Sequence, residues 1–327
     1  MFDTEHAVGT SLGLYNDGYF SSPEHAQAFP KTINRAMSQK AFTLPESKPF
    51  AILGLGAGPG LPEIITARAL KAAGYNPCVI LTDMVSEAMA DHYPGYGTDE
   101  LDEDRIPWRK VLADNRKLVE NEDIKAALTE FGSRVKISLA TMRSALHYED
   151  TEEAQLEVIE QVFAVLAKGG AFVLQEQAFP SQEEADLVRD VRKLVGKNTL
   201  YLTDDGFTAL MDHVFGSDNV GASSCTPPPF IQTSADFRKR YDVSDAVYAK
   251  IMSLVKRRYE ASEELQRADH LTLTNGKNPG WQRSTASKIM YGVKVGNSHQ
   301  CGGDCAETCV AVKKKSTKKR LPVRAGA

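Results

Sequence analysis

The chain has 327 residues, 42 % hydrophobic and 25 % charged, enough for one large domain or two modest ones with a substantial core. No apolar run approaches the roughly 18 residues of a membrane-spanning helix. The first residues carry no basic-then-apolar leader, so a soluble cytoplasmic protein is expected. The net charge of −4 conceals seven Lys and Arg in the last fifteen residues; taking those seven from −4 leaves −11 on the rest, a poor platform for nucleic acid.

The segment 1–50 reads as a helical cap. Ser22 precedes Pro23-Glu24 as a cap and first turn, and Ala26, Phe29, Ile33 and Met37 recur near helical spacing, with Pro30 as an interruption. Gly9-Thr10-Ser11-Leu12-Gly13 has the spacing of a hydrolase nucleophile elbow, but too little chain precedes it to build the sheet that motif needs. From Ala51 an apolar run leads into Gly54-Leu55-Gly56-Ala57-Gly58-Pro59-Gly60 and then a stretch of helical spacing. This is strand, tight turn and helix, with free N–H groups of the helix N-terminus behind the glycines. The dinucleotide pattern G-x-G-x-x-G/A does not fit, because Pro59 or Leu61 falls where the third small residue is needed.

Further buried strands are expected at 78–82, ending on Asp83, at 108–113, ending on Asp114-Asn115, at 135–140 and at 171–174. A helix with Leu156, Ile159, Val162, Phe163 and Leu166 on one face lies between the last two, opened by a cap-like Asp150 and Glu153. Strands alternating with helices in this way predict an α/β, doubly wound, mostly parallel seven-stranded Rossmann-like sheet with helices on both faces. Ligands of such sheets bind beyond the carboxyl ends of the strands. Residues 91–107 read as an acidic solvated loop. Ser181 and Glu184 predict a capping box, 205–215 a further helix, Val220 a sixth strand, and 288–295 the last strand. The core is thus expected over 51–225 and 287–295. Residues 226–286 form a helical insertion walling the substrate, and 296–327 a Cys- and Lys-rich tail.

The glycine pattern Gly56-x-Gly58-x-Gly60 resembles the first motif of the class I S-adenosylmethionine (SAM)-dependent methyltransferases, and the resemblance runs in order to about residue 177. It implies SAM as cofactor, S-adenosylhomocysteine (SAH) as product, and contacts from Gly54, Gly56, Ala57, Gly58 and Gly60. Asp83 then resembles the acid that binds both ribose hydroxyls, with Met84 against the adenine; by itself Asp83 also reads as a helix cap. Asp114 and Asn115 would lie near the adenine amino group. Met142 and Arg143 open a segment ending in Leu146-His147 that resembles the fourth motif. In plant-type O-methyltransferases its histidine is the general base, although many relatives keep it for packing. Glu176 would orient an amine or hydroxyl, or be solvated, and the solvated reading is preferred. Tyr15 and Tyr19 match N-terminal aromatics that close over SAM in relatives, although a core or surface tyrosine is the preferred reading. One departure stands out: relatives commonly carry an acid where this chain has Gly54, so the contact that acid makes must come from elsewhere.

The tail pattern His299, Cys301, Cys305 and Cys309 departs from zinc and radical-SAM spacings; reactive thiols are preferred over a metal set. The Lys-rich end reads as a nuclear address, a polyanion-binding arm or a solubilising end. The functional expectation is O- or N-methylation of a small molecule, with no membrane and no nucleic-acid partner. The rivals are a protein or RNA methyltransferase that docks by its tail, and a non-catalytic SAM-binding regulator.

Overall fold

The sheet is organised around β1 (Phe50–Leu55), whose six residues are all buried. In this computed structural model, which describes residues 27–89, 98–225, 227, 229–268, 271–274 and 280–295, β1 pairs in parallel with β2 (Pro77–Asp83) on one side and β4 (Ile137–Arg143) on the other. The strand β3 (Trp108–Leu112) extends the sheet beyond β2, and β5 (Ala171–Gln177) extends it beyond β4. The last core strand, β10 (Ser287–Val293), runs antiparallel between β5 and β6 (Val220–Ala222). The order is therefore β3-β2-β1-β4-β5-β10-β6, seven strands and mostly parallel, as expected. The chain leaves β1 toward β2 and returns to β4 on its other side, so the topological switch lies at the carboxyl ends of β1 and β4.

Side-chain alternation along the strands explains why helices cover both faces. Phe50, Ile52, Val79, Leu81, Leu139 and Val173 pack on one face with Phe29 and Ile33 of α1 (Ala28–Ser38) and Ile64, Ala67 and Leu70 of α2 (Leu61–Ala72). Leu53, Leu55, Ile80, Ala140, Phe172 and Leu174 face the other way. They meet Ile124 of α4 (Glu122–Phe131), Val158, Ile159 and Val162 of α5 (Glu152–Val165), and Phe207, Met211 and Phe215 of α7 (Asp204–Phe215). Each of the large apolar side chains among them contributes roughly 1.5–3 kcal/mol of burial.

Local sequence accounts for most boundaries. The cap of α5 is Thr151, whose hydroxyl accepts the Ala154 N–H at 3.1 Å, rather than the expected Asp150. Ser181 caps α6 (Gln182–Lys193) as expected, accepting the Glu184 N–H. Pro30 does not interrupt α1: it sits in the first turn, where the missing N–H has no helical acceptor to lose.

Two expectations need correction. Within 91–107, α3 (Asp99–Glu103) is not a solvated loop, because Leu101 is fully buried and Arg68 of α2 holds Glu100 at 2.8 Å and Asp104 at 2.7 Å. The insertion is helical in its middle, with α8 (Ser234–Arg240), α9 (Asp245–Ala261) and α10 (Glu263–Arg267), yet strands bracket those helices. The strands β7 (Phe230–Thr233), β8 (Leu271–Thr274) and β9 (Gly280–Thr285) form an antiparallel sheet of order β7-β9-β8. Phe237, Ile251, Val255, Leu265, Leu271 and Trp281 of this region bury Leu187 and Val191 of α6, and Arg258 pairs with Glu183 and Asp190. Tyr15, Tyr19, the Gly9–Gly13 pattern, His299, Cys301, Cys305, Cys309 and the basic tail lie outside the described residues.

Candidate functional site

The turn after β1 is built from left-handed backbone: φ is +53° at Gly56, +53° at Gly58 and +84° at Gly60, which caps α2. Only glycine adopts this region without strain, and three such residues in five draw the chain into a tight bend. The bend is tied to β2 by the Ala57 N–H, which donates to the Thr82 carbonyl at 2.9 Å. Asp83 completes the tie: its Oδ2 accepts the Gly58 N–H at 3.1 Å and its Oδ1 the Val85 N–H at 3.0 Å. Burial raises the Asp83 pKa above the ordinary carboxylate value, although these amide donors oppose the shift. Each oxygen keeps a second lone pair, so the carboxylate can still accept a pair of hydroxyls.

The glycines answer first to the protein itself. A Cβ at Gly54, Gly56 or Gly60 would lie 2.6 Å from Glu63 Cγ, Ala145 Cβ or Leu81 Cδ1 respectively. The close approach expected of a ligand is thus made in part by the chain's own side chains. The contact at Gly54 is informative. Glu63, in the first turn of α2, is 1 % exposed and fills the space that a side chain at 54 would need. Its Oε1 accepts the Thr141 hydroxyl at 2.6 Å, while its Oε2 is buried without a partner. Burial raises its pKa, opposed by the Thr141 hydrogen bond and by Arg143. An acid absent from β1 is therefore supplied by α2. The sequence shows only a glutamate in a first helical turn, where an acid is ordinary.

The neighbouring expected residues divide. Met84 is 38 % exposed beside Asp83, free to lie against a flat ligand. Asp114 instead caps its own turn, accepting the Arg116 N–H at 2.9 Å. Burial pushes its pKa up, but the Arg116 N–H and guanidinium outweigh this and hold it below the usual range. Asn115 faces the loop: its Nδ2 is 4.0 Å from a Cβ placed on Gly56, and its Oδ1 is buried without a partner. The Met142 side chain belongs to the apolar core with Leu55 and Leu146, so it is not available to a ligand. Arg143 acts electrostatically on Glu63. The next residue, Ser144, has φ +52° and a buried hydroxyl without a hydrogen bond.

At the carboxyl ends of β4 and β5 lies a second polar constellation. Glu176 is buried, not solvated: β5 continues through it and β10 flanks it. Its Oε1 accepts the Leu146 N–H at 2.7 Å, and its Oε2 lies 3.0 Å from His147 Nδ1. His147 is 5 % exposed, its ring stacks on Tyr201 at 4.8 Å, and its Nε2 has no hydrogen-bond partner. Burial lowers its pKa, with Glu176 opposing and Arg192 and Arg240 adding to the fall. A neutral imidazole with Nδ1–H on a carboxylate leaves its Nε2 lone pair available as a base. Tyr201 and Arg192 escaped sequence reasoning because they reach this point from outside the resembling segment. Among the described residues no His, Cys, Asp and Glu group is arranged to hold a metal, and no helix is long and apolar enough to cross a membrane.

No family model and no curated protein matches the sequence. Solved structures do match by shape. The YcgJ protein from Bacillus subtilis superposes with a TM-score of 0.55 at 15 % identity, over 83 % of this chain and 100 % of that one. A Bacillus halodurans protein described provisionally as a methyltransferase gives 0.53 at 13 % identity, over 81 % and 100 %. At such identities the likeness is one of fold, and the strand order and the bend after β1 agree with it. The chain has the class I methyltransferase fold.

Proposed function

We propose that this protein is a SAM-dependent methyltransferase acting on the oxygen or nitrogen of a small molecule. The observation that carries the reading is the buried His147–Glu176 pair, held at the carboxyl ends of β4 and β5, the end of the sheet where the glycine bend and Asp83 also lie. The residues present fit the cofactor: Glu63 Oε2 and Asn115 Oδ1 are buried acceptors without donors, suited to a ligand bearing an ammonium and an adenine amino group. When bound, SAM supplies a methyl group already activated on a sulfonium. Asp83 would accept the ribose hydroxyls, Met84 would cover the adenine, and Glu63 would receive the ammonium, directly or through a water.

The remaining work falls to this chain's own residues and is mostly positioning. His147 Nε2 takes the proton of the acceptor hydroxyl or amine, and Glu176 holds the imidazole in the productive tautomer and steadies the imidazolium that forms. The departure at Gly54 supports the non-catalytic rival less than its sequence suggests, since Glu63 restores a carboxylate there.

The test is transfer of labelled methyl from SAM to a panel of hydroxylated and amino-bearing small molecules, beside calorimetry with SAH. Transfer by the wild type, lost about 10²- to 10⁴-fold in His147→Asn with SAH affinity kept, is the expected result. Label entering only protein or RNA would favour the docking rival. SAH binding without any transfer would favour the regulator.

A further inference from the structure

A third polar constellation, on the inner face of the β7-β9-β8 sheet, is left unexplained by proton transfer. Trp281 and Arg283 are two residues apart on β9, so both project to the same face, toward α6. Arg283 pairs across the backbone with Gln232 and Leu271, in the middle of the sheet, and is 4 % exposed. An inner sheet face ordinarily takes apolar residues, and a buried guanidinium there is costly unless its donors are matched. Its Nε and Nη1 have no hydrogen-bond partner, nor has the buried Trp281 Nε1. All three are donors with no acceptor capacity. Trp281 and Arg283 both line one cavity of about 30 Å³, with Arg192, Gln232, Val188 and Phe237.

The surroundings are electropositive. Burial would raise the Tyr241 phenol, yet Arg192, Arg240, Lys197 and Arg283 together hold its pKa below the ordinary value. Glu184 is the nearby carboxylate that acts on Arg283, and it leaves Nε and Nη1 unmatched. The cavity has room for a water or two, which is also the size of one carboxylate group. A chain of packed side chains runs from Arg283 toward the base: Arg283 lies 5.3 Å over the Phe179 ring, Phe179 meets Tyr201 edge-on at 5.2 Å, and Tyr201 stacks on His147.

We propose that Arg283 and Trp281 form a receptacle for a carboxylate carried by the methyl acceptor, two aromatic rings away from His147. Naming the acceptor as owner of that carboxylate rests on the methyltransferase reading; the anion site itself does not. The substrate class becomes an aromatic or similarly extended acid that bears its hydroxyl or amine at the far end.

The test reads anion binding without SAM. Trp108 and Trp281 are the two tryptophans of the chain, so Trp108→Phe leaves Trp281 as the sole indole reporter. Its emission is titrated with phenylacetate and acetate, with 2-phenylethanol and acetamide as neutral controls and inorganic phosphate as a larger anion. The expected result is saturable change with the carboxylates, none with the neutral controls, and affinity for phenylacetate about 10- to 100-fold weaker in Arg283→Met. Arg283→Lys keeps the charge without the fork and falls between, which covers a Met variant that fails to fold. No response to any carboxylate, response to phosphate alone, or Arg283→Met and Arg283→Lys both behaving as wild type overturns the assignment. Parallel SAH calorimetry on the same proteins keeps the two readings apart: SAH binding without carboxylate binding sinks only this one.

Discussion

Replacing Glu176 by Gln is the perturbation that discriminates a catalytic pair from a packed one. The amide oxygen can keep the Leu146 N–H, now held at 2.7 Å, so the turn carrying His147 retains its anchor. The amide nitrogen then faces His147 Nδ1, where the carboxylate lies 3.0 Å away, and a donor there forces the proton onto Nε2. The lone pair that would take the acceptor's proton is lost. A base in the wrong tautomer forfeits about 10²- to 10⁴-fold in kcat. The titration shifts as well. Glu176 opposes the fall in His147 pKa caused by burial, so its removal lowers that pKa further. The acid limb of kcat/KM therefore moves to lower pH while the plateau drops. Initial rates at saturating SAM between pH 5 and 9, with SAH affinity as the check on folding, measure both. A variant with wild-type kcat and an unmoved acid limb would refute the base assignment.

Asp83→Ala removes two charge-assisted acceptors for the ribose and the tie to Gly58, and should weaken SAH binding about 10²- to 10⁴-fold, given roughly 1.5–3 kcal/mol for each such bond; calorimetry measures it. Glu63→Gln should weaken SAH by about tenfold while raising the melting temperature by about 2 °C at pH 8. The sign follows from linkage: the folded-state pKa of Glu63 is raised, so the stability it contributes is complete below the unfolded carboxylate value and is lost as pH rises through the folded one. The gain should therefore vanish near pH 4, and a gain that grows on acidification would contradict it. Gly60→Ala places a Cβ 2.6 Å from Leu81 at a left-handed position and should cost about 2 kcal/mol or more in a urea titration, whether or not the protein binds SAM.

Much of the core was legible because its signals are local. Glycines in a row, Asp83 at a strand end, and a 3.6-residue period after each apolar run specify strand, bend and helix without any long-range knowledge. What was hidden is what depends on contacts across the chain. Glu63 replaces an acid nine residues earlier only because α2 folds back over β1 and brings its side chain against Gly54. Glu176 reads as solvated at a strand end, and is buried because β10, more than a hundred residues later, pairs alongside it. The β7-β9-β8 sheet is built from strands of four to six residues around strong helical periods, too short to declare themselves. Arg192, Tyr201 and Arg283 converge from α6, the loop after it and β9, a meeting that no spacing encodes.

The account stands on one physical claim, that the bend at 56–60 and the carboxylate of Asp83 together grip an adenosine ligand. Isothermal calorimetry of the full chain with SAH tests it most directly. The account predicts one site per chain with micromolar affinity, weakened at least about 100-fold in Asp83→Ala. No heat at millimolar SAH, or binding that Asp83→Ala leaves unchanged, would contradict it.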